Sequence, residues 1–386
     1  MIKKKISYST RKHCILSKKD KLKKFLSLKN FPVFIGCTDQ KRIDDLFFDM
    51  DWSIGKSSGL IQLKNLIDAK IIYSDYHSEA IGCVWSKHHE EFSKFIIKYC
   101  DERIIEMGGG ANNLANLCIS NKKIKMWYNF ELAKVKKSQI KNNKKVKYIN
   151  KSINQSIVKK YIVKKTSFVH SHVLEHLYSP IKTLRNILKI KQIDKMIFSI
   201  PNLKMYLQNR YTNLINFEHT YLITEEVLKK MLEIVNFKIK KKKYFREHSI
   251  FIYAEKSKNI KKCTILNLKK YQKRYKDMIN FYKKKTLVMN KIFLKKNKNN
   301  NFLFGAHVFS QFLINMGLKE DKFNCILDNS PGKQNKRLYG TGLNVQNPKI
   351  IRNVIKPIVL ANVGQYQVEI EKQLKNINKN VKIIKF

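Results

Sequence analysis

Residues 103–115, RIIEMGGGANNLA, place a short apolar run directly before three consecutive glycines and an amphipathic segment. The apolar run predicts a buried strand and the segment after the glycines predicts a helix. Glycine lets the backbone approach a ligand closely and adopt positive φ without a clash at Cβ. A strand, a glycine turn and a helix in this order are typical of ligand sites in α/β proteins.

The acidic residue of this loop narrows the choice of ligand. Dinucleotide sites and S-adenosylmethionine (SAM) sites both place a glycine turn after a strand, but the spacing Glu106-x-Gly108-x-Gly110 differs from GxGxxG. A carboxylate at the strand end suits a ligand with a sulfonium and an amino group, whereas it repels a pyrophosphate. We therefore predict that Glu106, Gly108, Gly109 and Gly110 bind SAM.

A second carboxylate follows the next apolar run, which ends at Glu131. One carboxylate can accept hydrogen bonds from two vicinal hydroxyls, so Glu131 is a candidate for binding the ribose of the cofactor. The alternative is a glutamate at a helix N-terminus, where the helix dipole favours negative charge.

The apolar pattern divides the chain into regions. Between residues 91 and 255, short apolar runs alternate with helical stretches, which predicts a doubly wound, Rossmann-like α/β core. Residues 1–90 read as an irregular, small N-terminal domain, and residues 256–300 as a connecting helix and linker. Residues 301–386 predict a C-terminal Rossmann-like α/β domain with three parallel strands and a glycine turn at Gly305.

The composition is strongly basic, with 79 Lys and Arg residues against 29 Asp and Glu residues. Such a surface binds polyanions nonspecifically whatever the function. Only nine of the basic residues are arginine, the residue that makes bidentate contacts to phosphate and guanine, so nucleic acid is disfavoured as the true substrate.

Compartment and covalent structure are also indicated by the sequence. The N-terminal stretch has no apolar segment behind its charges, and residues 302–318 are interrupted by a glycine and polar residues, which predicts a cytoplasmic protein without a membrane span. The seven cysteines are scattered and never form Cys-x-x-Cys, so neither a disulfide framework nor a four-thiolate zinc site is expected.

Two further motifs carry a family resemblance. HVLEH at residues 172–176 and Pro201-Asn202 each follow an apolar run, and together with the glycine loop they resemble class I SAM-dependent methyltransferases. The resemblance implies SAM as cofactor and His172 as a cofactor-binding residue. The acidic residue that usually faces adenine after the third strand is missing, so Asn150, Asn154 or a backbone carbonyl would take its place.

The whole chain resembles the three-domain C-methyltransferases that act on nucleotide-linked keto-sugars in surface polysaccharide biosynthesis. The resemblance rests on SSGLIQLKNLIDAKIIYSDYHS, KHHEEFSKFI, NFEHTYLITEEVLKKML, FLFGAHVFSQFL, ILDNSPGKQNKRLYGTGLNV and PIVLANVG. The N-terminal domain of that family usually binds zinc through paired cysteines. The corresponding positions here are Cys14, Ser17, Gly55 and Ser58, so we expect no metal.

The resemblance also implies which residues lie at the substrate. Glu218-His219 matches the family's Glu-His pair, and His219 is the candidate base, since methylation of a carbon beside a ketone begins with removal of a proton. A tyrosine hydroxyl would stabilise the oxyanion that forms. Its candidates are Tyr76 as a catalytic residue, Tyr73 and Tyr221 in the substrate site, and Tyr211.

The C-terminal domain of the family helps to hold the substrate, which implies that Gly305 and Asp328 contact its nucleotide part, with Lys333, Lys336 and Arg337 near the phosphates. The glycine turn at Gly305 is short, and a tight turn without a ligand is the alternative. Two other functions stay open: O- or N-methylation of another small molecule, and a non-catalytic binding protein that keeps the methyltransferase fold.

Overall fold

The computed structural model describes residues 6–73, 82–140, 143–260, 264–294 and 296–386. Within these ranges, no helix has both the length and the apolar character needed to cross a bilayer.

The N-terminal region forms antiparallel β-structure, and the expectation of an irregular region was wrong. A four-stranded sheet has the order β2-β3-β5-β6, and β1 pairs with β7. The 16-residue strand β3 is rich in lysine, and most of its lysine side chains are exposed, so it has no apolar run by which to recognise it. The elements are β1 (Tyr8–Thr10), β2 (His13–Cys14), β3 (Ser17–Pro32), β4 (Cys37–Thr38), β5 (Phe47–Gly55), β6 (Ile61–Leu63), β7 (Asn65–Ile67) and α1 (Ala69–Ile72).

The central region confirms the predicted Rossmann-like α/β fold. Its seven-stranded sheet has the order β10-β9-β8-β11-β12-β14-β13, in which only β14 runs antiparallel to its neighbours. The elements are α2 (Cys83–Tyr99), β8 (Arg103–Met107), α3 (Asn113–Cys118), β9 (Met126–Phe130), β10 (Val146–Ile149), α4 (Gln155–Lys159), β11 (Ser167–Ser171), α5 (Pro180–Leu188), β12 (Lys195–Pro201), α6 (Leu203–Gln208), α7 (Glu225–Ile234), β13 (Phe237–Phe245) and β14 (Ser249–Lys256).

Helices cover both faces of this sheet, which is why most residues of its central strands are apolar and buried. Residues of α2 and α3 share one buried cluster with Trp127 and Phe251. Residues of α5 and α7 share another with Phe168 and Phe198. The carboxyl ends of the parallel strands therefore meet at one edge, where the loops after β8, β9, β11 and β12 converge.

The last region begins with the 26-residue helix α8 (Lys269–Leu294). It leads to a parallel five-stranded sheet of order β18-β16-β15-β19-β20, two strands more than the sequence indicated. Its elements are β15 (Asn301–Phe304), α9 (Val308–Asn315), β16 (Cys325–Leu327), β17 (Arg337–Leu338), β18 (Val345–Gln346), β19 (Ile358–Ala361), α10 (Gln367–Ile377) and β20 (Lys382–Ile384).

The two terminal regions pack together. One buried cluster contains Trp52 of β5, Tyr275 of α8 and Phe312 of α9, and β4 pairs with β17. Arg337 forms a bidentate ion pair with Asp45, at 2.6 and 2.8 Å. Arg337 therefore joins the two regions, and its guanidinium is not directed to a ligand phosphate.

Candidate active site

The glycine loop after β8 has a shape that other residues do not allow. Gly108 and Gly110 have φ values of 72° and 52°. A Cβ on Gly108 would lie 2.7 Å from Val173, and one on Gly109 would lie 2.4 Å from the Glu106 carboxylate. The loop thus packs directly against the HVLEH segment on one side and the Glu106 side chain on the other.

Asn129, at the carboxyl end of β9, holds the loop in this shape. Its side-chain oxygen accepts from the Gly109 amide at 3.1 Å, and its amide donates to the Gly110 carbonyl at 3.1 Å. It also donates to the side chain of Asn112, which has a positive φ. Sequence reasoning missed Asn129, although a polar residue inside an apolar strand was a visible signal.

Glu106 lies beneath the loop with 1% of its surface exposed. Trp127 Nε1 donates to its carboxyl group at 2.8 Å. Burial, which outweighs this hydrogen bond, raises the pKa of Glu106 to about 8. The carboxyl group is therefore largely protonated at neutral pH.

Glu131 lies at the end of β9 as predicted, and it binds the loop as well. Its carboxylate accepts from the Gly110 amide and from the Ala133 amide, both at 2.9 Å. A carboxylate has further lone pairs, so these bonds leave acceptor capacity for vicinal hydroxyls.

The two asparagines considered for the adenine contact bind the protein's own backbone. Asn150 donates to the carbonyls of Glu131 and Ala133, while Asn154 caps α4.

The HVLEH segment follows β11 and begins in a left-handed conformation, with a φ of 51° at His172. His172 Nε2 lies 2.8 Å from Ser249 Oγ, and Nδ1 lies 3.4 Å from the Glu175 carboxylate. Burial opposes ionisation of Glu175, but His172 and the neighbouring histidines lower its pKa to about 2. A buried carboxylate is thus kept charged by a surrounding set of imidazoles.

The predicted pair Glu218 and His219 meets the second histidine of this segment. His176 Nδ1 lies 3.5 Å from the Glu218 carboxylate and 3.1 Å from the Tyr73 hydroxyl. The rings of His176 and His219 are 5.0 Å apart, and ligand atoms of Glu175, His176 and His219 lie within 4.8 Å of one another. We call Tyr73, Glu175, His176, Glu218 and His219 the reaction cluster.

His219 is in the form that a general base requires. Burial and the neighbouring His176 lower the pKa of His219 to about 4, although Glu175 and Glu218 oppose the shift. The imidazole is therefore neutral at neutral pH and has a lone pair available to accept a proton.

The loop that carries Glu218 and His219 is fixed from three sides. Asn216 accepts from the His219 amide at 2.8 Å. The buried guanidinium of Arg11 donates to the Thr220 carbonyl at 2.5 Å and to the Tyr178 carbonyl at 3.0 Å. Leu63 of β6 donates its amide to the Thr220 carbonyl. Arg11 could not be predicted as part of this site, because nothing near it in the sequence relates it to this loop.

The other predicted substrate residues have different surroundings. Tyr221 is completely buried and its hydroxyl donates to the Leu174 carbonyl at 2.5 Å, so it supports the HVLEH segment from the core. Tyr76 lies outside the described residues.

In the C-terminal region, Asp328 accepts from the Ala306 amide after Gly305 at 2.8 Å and contacts Lys333 at 3.4 Å. That turn is thus closed by its own carboxylate.

The N-terminal positions that match the family's zinc ligands lie together but do not fit zinc. Cys14 Sγ lies 3.3 Å from Ser58 Oγ. A Cβ on Gly55 would lie 2.4 Å from Asp20, whose carboxylate accepts from the amides of Ser57 and Ser58 at 2.8 and 3.0 Å. One thiol and two hydroxyls are a poor zinc donor set, and the carboxylate that fills the turn binds amides instead.

Comparison with known proteins identifies the central region. Residues 79–242 match the family model of the methyltransferase domain. The chain contains a class I SAM-dependent methyltransferase domain. No curated protein matches the sequence significantly.

Among the solved structures similar to this chain, the following three each cover less than half of it. The methyltransferase domain of a bacterial CtHen1-C matches at 13% identity and a TM-score of 0.36, covering 45% of this chain and 99% of that one. A putative SAM-dependent methyltransferase from Listeria monocytogenes matches at 13% and 0.34, covering 44% and 99%. One from Mesorhizobium loti matches at 10% and 0.35, covering 46% and 100%.

The residues of the methyltransferase domain fit SAM. Gly108 and Gly109 have no room for a Cβ, and a turn made of glycines has no side chains that would keep a ligand from its backbone. Glu131 keeps acceptor capacity at the end of β9, and the turn contacts Val173, next to the reaction cluster. The cofactor loop and the reaction cluster are thus neighbours at the carboxyl edge of one sheet.

Proposed function

We propose that the enzyme transfers the methyl group of SAM to a carbon next to the ketone of a nucleotide-linked sugar. The observation that carries the proposal is the reaction cluster, in which a neutral, half-buried His219 shares one site with a tyrosine hydroxyl and two carboxylates. Proton removal from carbon requires a base and a means of stabilising the enolate oxygen, and this cluster offers both.

In this proposal His219 removes the proton, and the charge that develops on its ring is stabilised by Glu175 and Glu218. In the tautomer with a proton on Nδ1, His176 donates to the Tyr73 hydroxyl at 3.1 Å, which leaves the hydroxyl proton free to be donated to the enolate oxygen. Bound SAM supplies the methyl group. We assign Glu106, Gly108, Gly109, Gly110, Glu131 and His172 to the cofactor side, the same residues that the sequence indicated. Glu106 takes part as a neutral carboxyl group, not as the charged carboxylate that the sequence argument assumed.

The surrounding regions would then cover the sugar and its nucleotide. We assign residues 1–90 to the substrate side, because β6 pairs with the segment around Tyr221 and Tyr73 enters the reaction cluster. We retain Gly305 and Asp328, in residues 301–386, as the proposed nucleotide side. A role in surface polysaccharide biosynthesis would follow from such a product.

The experiment is methyl transfer from SAM with a ¹³C-labelled methyl group to a set of nucleotide-linked keto-sugars, with the product analysed by NMR. We expect the label on carbon. A label on oxygen or nitrogen would replace this proposal with O- or N-methylation, since a neutral His219 can also deprotonate a hydroxyl. Transfer should be lost in His219→Gln and kept in the matched variant His13→Gln, whose side chain lies on exposed β2.

A further inference from the structure

Three histidines outside the reaction cluster come together at a second place in the methyltransferase domain. His88 comes from α2, His172 from the loop after β11 and His248 from the turn between β13 and β14. One ligand atom from each lies within 4.8 Å of those of the other two. We call His88, His172 and His248 the triple-histidine cluster.

The ring of His88 packs against those of Phe92, Phe245 and Phe251. Its side chain is completely buried, and neither Nδ1 nor Nε2 has a hydrogen-bond partner among the described residues. A buried polar group without a partner costs about 1–3 kcal/mol, and such groups in folded proteins usually bind a water or an ion. An aliphatic side chain would fill this apolar position without that cost.

The other two rings are already aimed at a common point. His172 Nε2 and His248 Nδ1 both lie within hydrogen-bond distance of Ser249 Oγ, at 2.8 and 2.5 Å. A hydroxyl has one proton, so it donates to one ring at most and accepts from the other. Two imidazoles with the nearby His88 therefore surround a single small polar group.

A carboxylate lies behind His172, where many metal-bound histidines have one. The Glu175 carboxylate lies 3.4 Å from its Nδ1, on the side away from Ser249. A carboxylate that accepts from one imidazole nitrogen directs the lone pair of the other outward, and this arrangement is common behind metal-bound histidines. Trp85 closes the cluster, with its ring centroid 4.6 to 5.2 Å from those of the three histidines.

We propose that His88, His172 and His248 bind one divalent transition-metal ion of the zinc type, with Glu175 orienting His172. Three imidazoles suit zinc, nickel, copper and iron better than magnesium or calcium, which prefer oxygen. Nitrogen ligands of a tetrahedral zinc ion lie about 3.3 Å apart, each about 2.0 Å from the metal, so binding draws the rings slightly closer together. The ion fastens α2 to the β13–β14 turn beside the reaction cluster.

The test uses the full chain, stripped with a chelator and titrated with Co²⁺, which reports tetrahedral nitrogen ligation by its visible absorption. We expect one equivalent to bind, to quench the fluorescence of Trp85 and to be displaced by Zn²⁺. His88→Gln and His248→Gln should lose binding, and Trp85→Phe should lose the quenching but keep the absorption.

Matched variants exclude the other histidine-containing sites. His219→Gln in the reaction cluster and His13→Gln beside Cys14 should bind Co²⁺ as wild type does. Loss of binding in either, or a thiolate charge-transfer band, would place the metal elsewhere and overturn the proposal. Absence of binding by the folded wild-type chain would also overturn it.

A second measurement does not depend on the variants folding. X-ray absorption of the zinc-loaded wild-type chain counts imidazole ligands directly, and we expect three. A count of one or none, or sulfur in the first shell, would contradict the triple-histidine site.

Discussion

The Tyr73 hydroxyl lies 3.1 Å from Nδ1 of His176, although 103 positions separate the two residues in the chain. Tyr73 follows α1 in the N-terminal region, whereas His176 belongs to the methyltransferase domain. Because Glu218 faces the same nitrogen at 3.5 Å, the contact connects an N-terminal side chain to the proposed chemistry.

Replacement of Tyr73 by phenylalanine should therefore slow turnover without weakening cofactor binding. The oxyanion loses one donor, so we expect kcat to fall by about a hundredfold, which corresponds to roughly 3 kcal/mol. Steady-state kinetics together with calorimetric titration of S-adenosylhomocysteine measure the two effects. Tyr8→Phe, at a half-exposed tyrosine, is the control, and equal activity of both variants would remove Tyr73 from the proposed mechanism.

Gly109→Ala should weaken cofactor binding. Its Cβ would lie 2.4 Å from the Glu106 carboxyl group and 2.5 Å from the Asn129 side-chain oxygen, both of which are buried. The loop must move, and we expect the affinity for S-adenosylhomocysteine to drop by about tenfold or more, equal to at least ~1.4 kcal/mol.

Gly342→Ala is the matched control, because its Cβ would meet the ends of two partly exposed side chains, Arg42 at 3.0 Å and Glu320 at 3.5 Å. Calorimetric titration of both folded variants with S-adenosylhomocysteine measures the two affinities. Unchanged affinity in Gly109→Ala would show that the loop is not shaped for the cofactor in the way described.

Glu106 should make the protein less stable as the pH rises. Burial raises the pKa of Glu106 to about 8 in the folded chain, so the folded state keeps a proton that the unfolded chain releases at its lower, ordinary pKa. The resulting stabilisation is complete below that ordinary value, falls by about 1.4 kcal/mol per pH unit above it, and levels off beyond about pH 8.

Glu106→Gln lacks this proton and keeps an acceptor for Trp127. The free energy of unfolding of the variant should therefore improve relative to wild type as the pH rises from about 5 to about 8. Urea unfolding across this range measures it. A constant difference between the two proteins would mean that Glu106 is already ionised at neutral pH.

Asp20 should contribute measurably to the stability of the N-terminal region. Its carboxylate accepts from the Ser57 and Ser58 amides, and hydrogen bonds to a charged group contribute about 1.5–3 kcal/mol each to stability. We expect Asp20→Ala to destabilise the protein by an amount in this range. The control is Asp39→Ala, at an exposed carboxylate paired with Lys336 at 3.3 Å, and equal stability of the two variants in urea would contradict the assignment.

The core of the fold could be predicted from the sequence because helices cover both faces of the sheet. Strands such as β8 and β12 are then mostly apolar, with RIIEM and KMIFSIP as their sequences. Strands β3 and β13 could not be recognised, since each has exposed lysines along most of its length. Their stability comes from pairing with β5 and β14, which no local pattern reveals.

The candidate site likewise contains residues that could be predicted from the sequence and residues that could not. Glu106, Glu131 and the glycines are encoded in continuous motifs, and the structure places them around one loop. Arg11, whose backbone partners lie far along the chain, has no local signal. His88 and His248 are separated by most of the methyltransferase domain, so their meeting at His172 depends on the packing of α2 against the β13–β14 turn.

The most direct test of the proposed chemistry is solvent exchange at the carbon to be methylated. The full chain is incubated in D₂O with S-adenosylhomocysteine and the keto-sugar that accepts the methyl group, and deuterium is followed by NMR. The account predicts that wild type incorporates deuterium beside the ketone and that His219→Gln does not. Methyl transfer by an enzyme that catalyses no such exchange, or exchange that survives in His219→Gln, would contradict it.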